Sequence, residues 1–399
     1  MRTRSKLLFI CVVSFTQFTA ETMMRQIIPL QAESIGAPPG LIGLIVSSYS
    51  ILPLILAIPS GEIIDRVGFR VMIAASCVAM AISSAILVLA PTVGGLVMAQ
   101  VVAGVANVIV ILSAQAYVAG ISSASDRTRN FSIYSLAMAG GFLLGPPLGG
   151  MIADLGGYVL AFGAGGILSV AAALLVIPLP PSGNDESRSS TAAFPAPARG
   201  ARQMLQQSWR LLGRREVQLS LYVSLLGLFG LSMRNSFYPV YLNQVGHTTS
   251  RIGLLIALQS AVSFLVRPFM GSILKRGFFL PVSCAMIAGA LGIGLTPQFT
   301  GFASLAIVSA LYGLTTAVSQ PVSMILMASG SDLQHQGLAM GLRQTANQGA
   351  LLAGPLLLGL LTARLGIAHS FFFVAALWGA GAASLLLLRA TSRRTQPGS

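Results

Sequence analysis

Long apolar runs separated by short polar breaks dominate this chain. Twelve runs start near Leu7, Gly40, Val71, Gly94, Asn130, Tyr158, Val217, Ser250, Phe279, Gly301, Gly337 and Ile367. At about 20 residues each is long enough to cross the hydrocarbon core of a bilayer as a helix. One polar break is different in kind. Pro181 to Glu216 opens Pro-Ser-Gly-Asn-Asp-Glu-Ser-Arg-Ser-Ser and passes through Pro195 and Pro197, the composition of a flexible linker. In its later part Met204, Leu205, Trp209 and Leu212 interleave with Arg202, Gln206 and Arg210, which predicts a short amphipathic helix lying on anionic lipid. The pattern therefore predicts an all-α membrane protein of twelve helices: a six-helix half over residues 1–180, a linker over 181–216, and a second six-helix half with a short tail over 217–399.

Polar residues inside the runs are as informative as the runs. A central charge in a bilayer costs at least ~2.5 kcal/mol on insertion scales. The third, sixth, ninth and twelfth runs carry no charged or amide side chain in their interiors. The first has Gln17, Glu21 and Arg25; the fourth has Gln100, Asn107 and Gln115; the seventh has Arg234 and Asn235. Gln259 and Arg267 lie in the eighth, Gln320 in the tenth, and Arg343, Gln344, Asn347 and Gln348 in the eleventh. Every third helix thus reads as lipid-facing support around a cavity built from the others. Three trios are spaced by four residues and so lie along one helix face each: Gln17, Glu21 and Arg25; Gln259, Ser263 and Arg267; Tyr312, Thr316 and Gln320. These faces are expected to line water; the alternative is hydrogen bonding that only holds helices together. Glu21 is the one carboxylate well inside a run, with Arg25 a turn later as a possible partner. A purely structural ion pair is the competing account of these two.

Composition agrees with the pattern. The chain is 54% hydrophobic and 9% charged, with mean hydropathy +0.81, against roughly 25% charged residues in soluble domains. The net charge of +14 raises the possibility of nucleic acid, and its distribution argues against it. Arg2, Arg4, Lys6, Arg66, Arg70, Arg127, Arg129, the arginines from Arg188 to Arg215, Lys275, Arg276, Arg389, Arg393 and Arg394 fall on one side of the twelve-span layout; only Arg251 and Arg364 fall in loops on the other. Both termini are then cytoplasmic. The first run is too long for a signal peptide and lacks a small-residue cleavage site, so it is read as retained. Cys11, Cys77 and Cys284 lie singly in separate runs, and the three histidines lie in or beside loops. No metal site, disulfide framework or cofactor is expected.

The halves repeat one another. Pro29, Gly36, Gly43, Gly61 and Arg66 recur 210 positions later as Pro239, Gly246, Gly253, Gly271 and Arg276. Gly104, Gly145 and Pro146 recur 209 positions later as Gly313, Gly354 and Pro355. The loop Gly61-Glu62-Ile63-Ile64-Asp65-Arg66-Val67-Gly68-Phe69-Arg70 resembles the G-x-x-x-D-R-x-G-x-R turn between the second and third helices of the major facilitator superfamily. Gly141-Phe142-Leu143-Leu144-Gly145-Pro146-Pro147-Leu148-Gly149-Gly150 is similar to the G-x-x-x-G-P-x-x-G-G segment of drug and metabolite antiporters in that family. Parallel six-helix repeats are that family's architecture, and the resemblance covers essentially the whole chain. One departure stands in the fourth run: Gln100 occupies the place of an arginine that the family uses near its proton-coupling machinery.

The resemblance implies transport by alternating access, most directly as a proton-coupled antiporter exporting a small organic solute across a bacterial-type inner membrane, as a monomer. Glu21 is the expected proton carrier. Gln17, Glu21, Arg25, Asn107, Arg234, Asn235, Gln259, Tyr312, Gln320 and Asn347 are the expected substrate contacts. Gly61, Asp65, Arg66, Gly68 and Arg70 would form a cytoplasmic gate with Asp126 and Arg127. Arginines of the first and seventh helices meet phosphate in organophosphate exchangers of the family, so an importer or exchanger of organic anions built on Arg25 and Arg234 is the main rival. A lipid flippase and a non-transporting receptor on the same fold are the others.

Overall fold

The computed structural model describes residues 3–56, 67–123, 125–178, 201–274, 277–331 and 336–394. Among them every regular element is a helix, and eleven helices are long and apolar enough to cross a membrane. They are Arg4–Ser34, Pro39–Leu56, Phe69–Leu89, Val93–Ile121, Arg129–Val176, Arg215–Gln244, Thr249–Ile273, Phe279–Gln298, Phe302–Ser329, Leu338–Leu365 and Ile367–Thr391. Arg129–Val176 holds two spans, because Gly156 and Gly157 leave helical geometry inside it, Gly157 at φ +79°. Twelve spans result, and they are numbered in chain order below.

The first span is interrupted where its chemistry sits. Its helix ends at Arg25 and restarts at Ile28. Pro29 has no N–H to give the carbonyl a turn earlier, so the backbone breaks there. Pro239 holds the matching place in span 7, yet that helix runs without a break from Arg215 to Gln244.

The sequence repeat is also a conformational repeat. Among the described residues, the six glycines with positive φ form three pairs, Gly36 with Gly246, Gly68 with Gly277 and Gly157 with Gly366, each separated by 209 or 210 positions. Spans 3, 9 and 12 pack within their own halves, and span 6 packs on span 3, where Ser84 Oγ donates to the Phe162 carbonyl at 2.6 Å. Two matched seams join the halves. A side chain at Gly43 in span 2 would collide with the Pro355 carbonyl of span 11, and one at Gly253 in span 8 with the Pro146 carbonyl of span 5. The pairs exchange places under the repeat, which is what a twofold axis between the halves requires. The Gly141–Gly150 segment serves span 1 as well: side chains at Gly141, Gly145 or Gly149 would strike Phe18, Thr22 or Met23, and one at Gly150 would strike Thr249.

Among the described residues, the hydrogen bonds joining the halves lie at the ends away from the termini. Asn243 Nδ2 and Gln244 Nε2 donate to the two oxygens of Glu33 at 3.2 and 2.7 Å. Asp154 accepts from the backbone N–H groups of Thr249 and Ser250, both at 2.9 Å, and from Ser250 Oγ. Thr249 and Ser250 open span 8, so a carboxylate of one half caps a helix of the other. The opposite side carries both termini. There the amphipathic helix Ala201–Leu212 tucks Leu211 against Val217, Met327 and Ala339 and leaves Trp209 68% exposed.

Candidate functional site

Glu21 sits four residues before the break in span 1 and is 3% exposed. Burying a carboxylate without partners is prohibitive, and three donors converge on this one. Tyr49 Oη of span 2 donates to Oε1 at 2.6 Å, Arg25 Nη1 to the same oxygen at 3.4 Å, and Asn107 Nδ2 of span 4 to Oε2. The Arg25 guanidinium also lies over the Tyr49 ring, 4.3 Å from its centroid, a favourable cation–π placement. Arg25 keeps 24% of its side chain exposed. Three helices thus hold one acid, with a partly exposed cation beside it.

The facing half holds cations without acids. Arg234 Nη2 of span 7 donates to Ser260 Oγ at 2.8 Å and to the Ile256 carbonyl at 3.2 Å, while its Nε is buried without a partner. No carboxylate among the described residues comes within ion-pair distance of it, and it lies within electrostatic reach of Arg25. Further toward the termini, Arg343 Nη1 of span 11 donates to Gln320 Oε1 at 3.3 Å. The Asn347 amide meets Ser224 Oγ at 2.7 Å; turned so that its nitrogen faces Ser224, it also accepts from Arg343 at 3.3 Å.

Several expected contacts are packed among the helices. Gln17 and Gln259 are 0% exposed and neither amide completes a hydrogen bond; Gln259 lies beside the Tyr238 hydroxyl. Tyr312 donates to the Gly230 carbonyl at 2.5 Å and stacks on Tyr238, which makes it part of the packing of the second half. Ser263 bonds Thr316 Oγ1 at 2.9 Å, so the face expected to line water in span 8 is turned against span 10 there. At these positions the polar faces meet neighbouring helices, because a polar face satisfies its groups against a helix as readily as against water. Asn235 is half-buried beside Arg234.

At the gate, Gly61, Asp65 and Arg66 lie outside the described residues. Gly68, at φ +95°, starts span 3, and Arg70 donates to the Ile177 carbonyl at the end of span 6. Asp126 accepts from Ser123 Oγ at 3.0 Å within its own turn, next to Arg127, which opens the following helix. Tyr49, Glu33 and Asp154 were not singled out from the sequence as site residues. Tyr49 had a signal: it lies in the polar run Ser47-Ser48-Tyr49-Ser50, 210 positions before Gln259.

Comparison with known proteins accords with this architecture. Residues 10–291 match the Major Facilitator Superfamily. The chain is 23% identical to Multidrug resistance protein 2 of Bacillus subtilis, covering 92% of each. It is 21% identical to the quinolone resistance protein NorA of Staphylococcus aureus, covering 87% of each. The crystal structure of the nucleoside transporter NupG shares the fold at a TM-score of 0.78 and 15% identity, over 96% of this chain and 98% of that one. With its two six-helix halves, its matched seams and that match, the chain belongs to the Major Facilitator Superfamily of membrane transporters.

Proposed function

We propose that this protein is a proton-coupled antiporter that exports a small organic solute from the cytoplasm, with both termini cytoplasmic and the described conformation open to the inside. One observation carries the reading: a carboxylate in the interior of a span, Glu21, held by donors from three helices and paired with the partly exposed Arg25. A group so placed exchanges one partner for another as the halves rock. The Glu21 carboxylate takes either a proton or a donor group of the solute, so the two compete for that one acid, and solute binds once the proton has left. The drug-resistance relatives support export, and the arginine-rich side supports the orientation.

A second reading has its own observation. Arg25 and Arg234 face each other electrostatically across the halves and only Arg25 has an acid, which suits a solute bearing an anionic group. In proteoliposomes with an imposed pH gradient, solute movement that collapses when the gradient is dissipated supports antiport; gradient-independent movement of organic anions alone supports the second reading. Cysteines introduced at Ser187 and Ser392 are expected to react only with reagents that enter the cytoplasm, and labelling from outside intact cells contradicts the orientation.

A further inference from the structure

Five buried polar side chains follow one another from Glu21 toward the cytoplasmic side, inside the first half. On span 1, Gln17 and Ser14 lie four and seven residues before Glu21 and on the same face, a descent of about 10 Å. Both are 0% exposed, and none of their side-chain polar atoms has a hydrogen-bond partner. Tyr134 of span 5 comes next: it is 1% exposed, its hydroxyl lies beside that of Ser14, and the two complete no bond with each other. One turn closer to the loop, Asn130 is buried and donates to Ser122 Oγ at 2.8 Å. Ser122 ends span 4, at the turn that holds Asp126.

Orphaned buried hydroxyl and amide groups are rare, and water is their usual partner. An amide and two hydroxyls in succession, all unpaired, are donors and acceptors for a file of waters. We infer that these residues hold a narrow hydrated path for protons between Glu21 and the cytoplasm, separate from the cavity the solute uses. The inference rests on the reading of Glu21 as proton carrier. In the inward-open state the Glu21 carboxyl O–H bond breaks, its proton passes to the adjacent water, each water in turn passes one on, and an excess proton leaves at the Ser122–Asp126 turn. The carboxylate is left to its donors. Solute then enters from the cavity side without meeting the departing proton. Spans 1 and 5 are backbone to backbone at Gly141 and Gly145, which leaves a solute no way through this seam.

The titratable and charged groups facing the path are few. Arg25 and Tyr49 lie at its head, Cys11 beside Tyr134, and Asp126, Arg127 and Arg129 around its mouth. The second half supplies a control. At the matched positions Ser224 is bonded to Asn347, Arg343 replaces Tyr134, Gly227 replaces Gln17 and Leu231 replaces Glu21. The same place in the fold there has protein partners and no acid.

The test is solute-driven proton flux in proteoliposomes carrying an interior pH dye. The double variant Ser14→Ala, Tyr134→Phe is expected to slow proton flux at least several-fold while solute-for-solute exchange, which needs no proton release, continues. Exchange also reports that the variant is folded. Wild-type proton flux in the double variant overturns the path and leaves Glu21 as carrier. Full proton flux in Glu21→Gln removes the reading on which the path rests. Radiolytic footprinting, which marks side chains touching bound water, gives an independent check on the unaltered protein. Tyr134 is expected to be modified despite its burial and the equally buried Phe162 not; protection of Tyr134 overturns the path.

Discussion

The two halves share a scaffold and differ in almost every residue that bears chemistry. Gly43 against Pro355 and Gly253 against Pro146 are the same contact made twice, and the positive-φ glycines come in matched pairs. At matched positions within the spans, however, Glu21 faces a counterpart in Leu231, Arg25 in Asn235, Tyr49 in Gln259 and Asn107 in Thr316. One half therefore holds a buried acid with a full set of donors, and the other holds arginines bonded to a carbonyl, a hydroxyl and an amide, each with its Nε buried and unpartnered. A duplicated frame keeps what closes the seams, since a side chain there displaces backbone. The polar lining is free to diverge, and on the proposed function that divergence divides the labour, with the acid of one half for the proton and the arginines of the other for a solute's anionic end.

The largest expected effect belongs to what the halves share. Gly253→Leu forces a side chain into the Pro146 backbone and should keep the outer seam from closing, at a cost of about 1–3 kcal/mol or more. Transport should fall by roughly tenfold to a hundredfold, and spin labels on the outer ends of spans 5 and 8 should move apart. Gly43→Leu should do the same at spans 2 and 11. Normal transport in either variant breaks the claim that the seams are equivalent.

Next comes the difference between the halves. Arg234→Gln removes a charge-assisted contact worth roughly 1.5–3 kcal/mol, so the apparent affinity for an anionic solute should weaken by about 10- to 150-fold. The ratio of protons to solute should not move. A change in that ratio with affinity intact would put proton coupling in the second half.

The smallest effect is expected at the outer latch. Asp154→Asn replaces the carboxylate that caps span 8 across the halves, a loss of about 1 kcal/mol. The balance of inward-open to outward-open molecules should shift about fivefold toward the outward form, read by the reactivity of a cysteine in the cavity. Glu33 offers a second, amide-bonded latch, so removal of either alone leaves transport largely in place.

Much of the frame was legible because the bilayer permits so little: an apolar run of that length becomes a helix, and a glycine repeated at a constant offset marks a duplicated contact. Glu21 was legible for the same reason, being too costly to bury idly. The neighbours of each polar face were not. Gln17 and Gln259 have helical spacing consistent with a water-lined face, and which helix covers that face depends on packing between distant segments. The break at Pro29 and the unbroken helix through Pro239 show that a proline licenses a kink without compelling one. Glu33, in a loop by sequence, and Asp154, near the outer end of the fifth span, gave no sign of their partners because those belong to the other half.

The division of labour stands or falls on Glu21. In proteoliposomes under an imposed pH gradient, Glu21→Gln keeps the side chain's shape and fixes it neutral, so the acceleration of solute transport by the gradient should disappear while exchange of solute for solute persists. Full acceleration in Glu21→Gln would contradict the account and move the organic-anion reading built on Arg25 and Arg234 ahead.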